Sequence, residues 1–127
     1  MTEVFDASAV QAVIFEQPGA DRVKALWAEG DKLLCAVNCA EVVAKLAERG
    51  MVDAEIATVL EGIPLHVIPF DRRCAHQAGL LRRATKALGL SLGGRACLAL
   101  GLVSEAHVVT ADRSWKTVKG VDVEVVR

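Results

Sequence analysis

Two aspartates stand where apolar runs stop. Asp6 closes the run Val4-Phe5, and Asp112 follows the run ending at Thr110 after a single alanine. In an open α/β sheet the ligand crevice lies beyond the carboxyl ends of the strands, so acids that directly follow two such strands project at one edge. Carboxylates gathered without a cation repel one another, and one is driven to take a proton. A hard divalent cation removes that cost. Mg²⁺ and Mn²⁺ prefer oxygen ligands, keep part of their water and bind substrate phosphate. A site of that kind polarises a phosphodiester and lowers the pKa of water. Zinc is poorly served. Cys35, Cys39, Cys74 and Cys97 form no C-x-x-C pair, and His66, His76 and His107 are not spaced beside them as ligands. Cys35 and Cys39, one helical turn apart, read as small apolar residues on a buried helix face. Unpaired thiols fit a reducing cytosol.

The elements that must position these acids alternate between strand and helix. Glu3–Phe5 reads as a short strand, and the stretch ASAVQAVIFEQ after it as an amphipathic helix ending before Pro18-Gly19. Ala20–Glu29 reads as a second helix with Val23, Leu26 and Trp27 on one face. Lys32–Val37 is ambiguous. Asn38 is placed to cap a helix through Glu48, and Asp53 to cap a short one to Leu60. Pro64–Phe70 is β-like. Asp71 caps a long helix to about Leu88, closed by Gly89, and Ser91–Leu102 forms another. Ala106–Thr110 is a third strand, Asp112–Val118 a turn, and Val121–Val126 a terminal strand. The pattern predicts an α/β fold, a three-layer α/β/α sandwich around a mostly parallel sheet.

Composition agrees. The 127 residues are 53% hydrophobic, enough for one self-supporting domain over 1–127. Aromatics are only 4%, with no Tyr, so the core must be aliphatic, and the composition argues against base-stacking platforms. A net charge of −1 excludes a bulk nucleic-acid coat protein. Residues 1–62 carry eleven acids against five bases, whereas 63–127 carry five acids against ten bases. No basic leader precedes an apolar run, and no run is long enough to span a membrane, so a cytoplasmic protein is expected.

Four blocks then carry a family resemblance: V-F-D-A-S-A at the start, N-C-A-E-V about 35 residues on, L-S-L-G-x-R-A-C-L-A-L, and V-V-T-A-D-R-S-W near the end. Their order and spacing across nearly the whole chain resemble the PIN domain, and more closely a VapC-type toxin of a toxin–antitoxin pair. The resemblance implies a Mg²⁺- or Mn²⁺-dependent endoribonuclease, inhibited by a VapB-type antitoxin and commonly a homodimer. It implies that Asp6, Glu41 and Asp112 are the catalytic acids and the metal ligands. Where the family has a further acid, this chain has Gly94 in Leu92-Gly93-Gly94-Arg95. Loss of a ligand carboxylate predicts impaired cleavage, and leaves a catalytically degenerate domain that binds antitoxin or RNA as the alternative.

Each residue also has a plainer role. Asp6 and Asp112 could be helix caps. Glu41 stands among Cys39, Ala40, Val42 and Val43, where an unpaired charge is costly. Ser8 and Thr110 could serve carboxylates or only the local backbone. Arg95 and Arg113, close to the acid blocks, are the RNA-binding residues expected, against an ordinary solvated face. Arg72, His76 and Arg83 share a stripe of the long helix. Leu26 and Trp27 are packing residues, or part of a groove for an antitoxin helix.

Overall fold

The computed structural model describes residues 1–127. Five strands form one sheet: β1 (Thr2–Phe5), β2 (Asp31–Cys35), β3 (His66–Ile68), β4 (His107–Thr110) and β5 (Val123–Val125). Their order is β3-β2-β1-β4-β5, and every neighbouring pair is parallel. Six helices connect them: α1 (Ala7–Ile14), α2 (Ala20–Trp27), α3 (Ala36–Glu48), α4 (Asp53–Glu61), α5 (Arg72–Thr85) and α6 (Leu92–Ser104). Short 3₁₀ turns occupy Lys86–Leu88 and Arg113–Thr117.

The strand period of two explains the layers. Val4, Cys35 and Val108 face one way, into a core completed by Cys74 of α5, by Ala96, Cys97, Leu98 and Leu100 of α6, and by Trp115. Phe5, Leu34 and Val109 face the other way, against Val10 of α1, Val23 of α2, Val42 and Leu46 of α3 and Ile56 of α4. Both sheet faces are thus apolar and covered, as parallel sheets require. The three-layer α/β/α arrangement expected from the alternation is the one observed.

Local differences have local causes. Lys32–Val37 resolves into β2 running straight into α3, with Cys35 as the N-cap and no turn residue between them. Asn38 is therefore not a cap: it lies inside the first turn of α3 and is buried. Asp53 is the first residue of α4 rather than its cap; the cap position is Val52, whose N–H meets the Glu55 carboxylate at 3.4 Å. Only His66–Ile68 of the β-like run pairs in the sheet, as the flanking prolines lack an N–H to donate. Asp71 and Ser91 do cap, accepting from Cys74 N at 2.9 Å and Gly94 N at 3.2 Å. Asp112 follows the fourth strand, not the third, because β2 adds one.

This topology positions the acids. Central β1 is flanked by β2 on one side and β4 on the other, so the strand order reverses direction between β1 and β4. The crevice at that reversal is where such sheets bind ligands. Asp6 leaves β1 there, Asp112 leaves β4 there, and α3 rises from the adjacent end of β2.

Candidate functional site: a carboxylate-lined cavity

Asp6 is 6% exposed and wrapped in donors. Ala9 N donates to Oδ1 at 2.9 Å, which makes Asp6 the N-cap of α1. Ser8 Oγ lies 2.7 Å from Oδ1 and 2.9 Å from Oδ2, and Thr110 Oγ1 donates to Oδ2 at 2.7 Å. Burial nonetheless dominates and pushes the Asp6 carboxyl up to about 6; the bonds from Thr110, Ala9 and Ser8 oppose it, and the nearby Glu41 charge adds to it. Capping and site chemistry are here the same arrangement.

The two hydroxyls link β1 to the loop after β4. Ser8 Oγ accepts from Ala111 N at 2.9 Å, and Thr110 Oγ1 accepts from Asp112 N at 3.0 Å. Both therefore serve a carboxylate and the backbone at once. Asp112 is exposed, and its Oδ1 accepts from Ser114 N at 2.9 Å and Ser114 Oγ at 2.8 Å. It caps the 3₁₀ turn with one oxygen, and Oδ2 has no protein partner.

Glu41 projects from the second turn of α3. It is exposed, contrary to what its apolar neighbours suggested: the helix turns Val42 into the core and leaves Glu41 outward. Asn38, one turn earlier and 1% exposed, donates through Nδ2 to Glu41 Oε1 at 2.9 Å and to Gly93 O at 2.9 Å. Neither the spacing nor the composition singled out Asn38 for this role. The signal available was its i, i+3 relation to Glu41, which places both on one helix face.

Asp6, Glu41 and Asp112 line one cavity of about 320 Å³, together with Ser8, Gln11, Asn38, Ser91, Gly94 and Trp115. Gly94 is buried in its wall and contributes no side-chain oxygen. No three His, Cys, Asp or Glu side chains are drawn together tightly enough to hold a metal ion by themselves. The donor chemistry still fits a hard cation. The wall offers carboxylate, amide and hydroxyl oxygens and no sulfur or imidazole. Asn38 Oδ1 is itself buried without a hydrogen-bond partner.

The two expected RNA-binding arginines lie differently. Arg113 is exposed and lines a shallow groove with Ser8, Ala111, Asp112 and Arg127, adjoining the acidic cavity. Arg95 is half-buried, and its Nη1 donates to Ala78 O of α5 at 3.0 Å. It is absent from the walls of both cavities. The arginines of α5, Arg72, Arg73, Arg82 and Arg83, are all exposed. No helix is long and apolar enough to cross a membrane.

A fully parallel sheet with acids at its reversal point defines an α/β protein with an acidic ligand crevice. Residues 4–121 match the PIN domain, and the chain belongs to that family. Its fold is similar to that of a chain of VapBC2 from Rickettsia felis, solved with a DNA fragment from their promoter. The two share 17% identity and a TM-score of 0.76 over 98% of each chain. A toxin–antitoxin complex from Klebsiella pneumoniae gives 14% identity and a TM-score of 0.77, again over 98% of each chain. FitAcB from Neisseria gonorrhoeae gives 21% and 0.71 over 95% of each. At these identities the likeness is one of fold. No curated protein sequence matches.

Proposed function

We propose that this PIN domain is the toxin of a VapBC-type pair and acts on RNA as a metal-dependent endoribonuclease, its cleavage weakened by Gly94. The observation that carries the reading is that Asp6, Glu41 and Asp112, far apart in sequence, line a single cavity. Asp6, Glu41 and Asp112 would hold Mg²⁺ or Mn²⁺, with water completing the set where the chain offers no fourth acid. When bound, such a cation supplies charge neutralisation at a phosphodiester and a more acidic water. The chain's own part is positional. Thr110 and Ser8 hold the Asp6 carboxylate, Asn38 holds that of Glu41, and Ser114 holds one oxygen of Asp112. Arg113, beside the cavity, would meet an RNA phosphate, whereas Arg95, which donates to Ala78 O and lines neither cavity, would instead hold α6 to α5.

The partner proposed is a VapB-type antitoxin, on the strength of the fold's likeness to chains solved in such complexes, and a homodimer in the cytoplasm is the assembly proposed. A second reading is favoured by one observation: Gly94 is buried beside the ring of Trp115, so the place of the missing acid is partly filled. A domain kept for binding antitoxin or RNA would tolerate that. The two are separated by incubating a labelled RNA with the chain and Mn²⁺, alongside Gly94→Asp and Asp6→Asn. The nuclease reading expects slow cleavage that Gly94→Asp accelerates and Asp6→Asn abolishes. Cleavage undetectable in all three, with a tight antitoxin complex retained, selects the binding module.

A further inference from the structure

Glu41 is an exposed side chain with several rotatable bonds, and left alone it would sample many rotamers. Two neighbours restrict it. Asn38 Nδ2 carries two N–H groups, and its two partners, Glu41 Oε1 and Gly93 O, are each 2.9 Å away. Both are acceptors, which forces the amide to turn its nitrogen toward them. The carboxylate also lies against Gly93 itself. A β-carbon at that position would overlap Glu41 Oε1, Cδ and Oε2 alike, so only glycine leaves room for the group where it is.

We propose that Asn38 is a positioning residue and that, with Gly93, it forms a clamp fixing the Glu41 carboxylate at the cavity shared with Asp6 and Asp112. The inference rests on Glu41 being a cation ligand, as proposed above. A purely structural role, pinning α3 to α6, is met by the bond to Gly93 O alone. The second N–H, spent on an exposed residue of the same helix, adds nothing to that pin. A hydrogen bond to an ionised acceptor is about twice as strong as a neutral one, so this contact has the strength to hold the carboxylate.

The test measures Mn²⁺ affinity by electron paramagnetic resonance, with the thermal midpoint of each metal-free protein alongside. Asn38→Leu removes both donors at similar volume, Gly93→Ala displaces the carboxylate by steric overlap, and Glu41→Gln is the reference. The clamp predicts that Asn38→Leu and Gly93→Ala each weaken Mn²⁺ binding roughly 10–100-fold, the range for residues that orient metal ligands. Weakened binding in Glu41→Gln with wild-type affinity in the other two overturns the clamp and leaves the site standing. Wild-type affinity in Glu41→Gln overturns both. Should Asn38→Leu fail to fold, the side-chain amide signals of Asn38 in the wild-type NMR spectrum decide: the clamp requires them to shift on adding Mg²⁺, and unchanged signals contradict it.

Discussion

The indole of Trp115 stands directly against Gly94: a β-carbon on that glycine would come 3.1 Å from Trp115 Cζ2 and 3.5 Å from Leu90 Cδ2. Trp115 is itself 3% exposed and belongs to the α5–α6 core. Restoring an acid at this position therefore asks a buried ring to move by a few tenths of an ångström. Overpacking of a core costs roughly 1–3 kcal/mol, while an acid in the first turn of a helix returns about 0.3–1 kcal/mol. Gly94→Asp is expected to raise metal-dependent RNA cleavage at least tenfold and to lower stability by about 1 kcal/mol. Denaturant unfolding checks the second part. The fluorescence of Trp115, read in a Trp27→Phe background, reports whether the ring has moved.

Asp6 sets a pH dependence whose sign is unusual for a carboxylate. Its folded value of about 6 lies above the ordinary 3.8, because burial outweighs its three donors. The folded state then holds more protons than the unfolded one between these values, so stability falls as pH rises through that window. The contribution is intact below about pH 4 and lost above about pH 6, on the order of 3 kcal/mol for a shift of this size. Asp6→Asn is expected to melt higher than wild type at pH 7.5 without metal, and to lose that advantage at pH 4. Melting curves across this range check it. A divalent cation should raise the wild-type midpoint more than that of Asp6→Asn, since the variant lacks one charged ligand.

Arg95 and Arg113 are expected to separate by assay. Arg113 is exposed at the groove beside Asp112, whereas Arg95 spends Nη1 on Ala78 O and keeps a buried, unpartnered Nε. Arg113→Ala should weaken binding of single-stranded RNA in EDTA and reduce the dependence of log K on log salt by about 0.7, the value per single-strand phosphate contact. Arg95→Ala should lower the unfolding free energy by roughly 1.5–3 kcal/mol through the lost charged hydrogen bond to Ala78 O. Fluorescence anisotropy and denaturant titration measure the two. An equal loss of RNA affinity in Arg95→Ala would return that residue to the RNA surface.

Much of this site was legible in the chain, and the exceptions are instructive. Asp6 and Asp112 were placed at one sheet edge because each lies within two residues of a strand's carboxyl end, and parallel topology leaves no other edge for them. Asp71 and Ser91 announced their helices because capping is a local interaction. Asn38 misled for the same reason: an Asn before a helical run looks like a cap, but α3 begins two residues earlier, directly from β2, and the side chain is drawn inward by Gly93 O, 55 residues away. Glu41 seemed buried by its sequence neighbours, yet a helix distributes neighbours over all faces. What Gly93 and Gly94 touch depends on how α6 packs against α3 and Trp115, which no local pattern encodes.

The central claim is that three carboxylates share one hard cation. A crystal of this chain soaked in Mn²⁺, with anomalous scattering recorded at the manganese edge, addresses it most directly. The account predicts a peak in the cavity within ligand or one-water distance of Asp6, Glu41 and Asp112, weakened in Asp6→Asn. A peak elsewhere on the molecule, or none in the cavity at millimolar Mn²⁺, would contradict it.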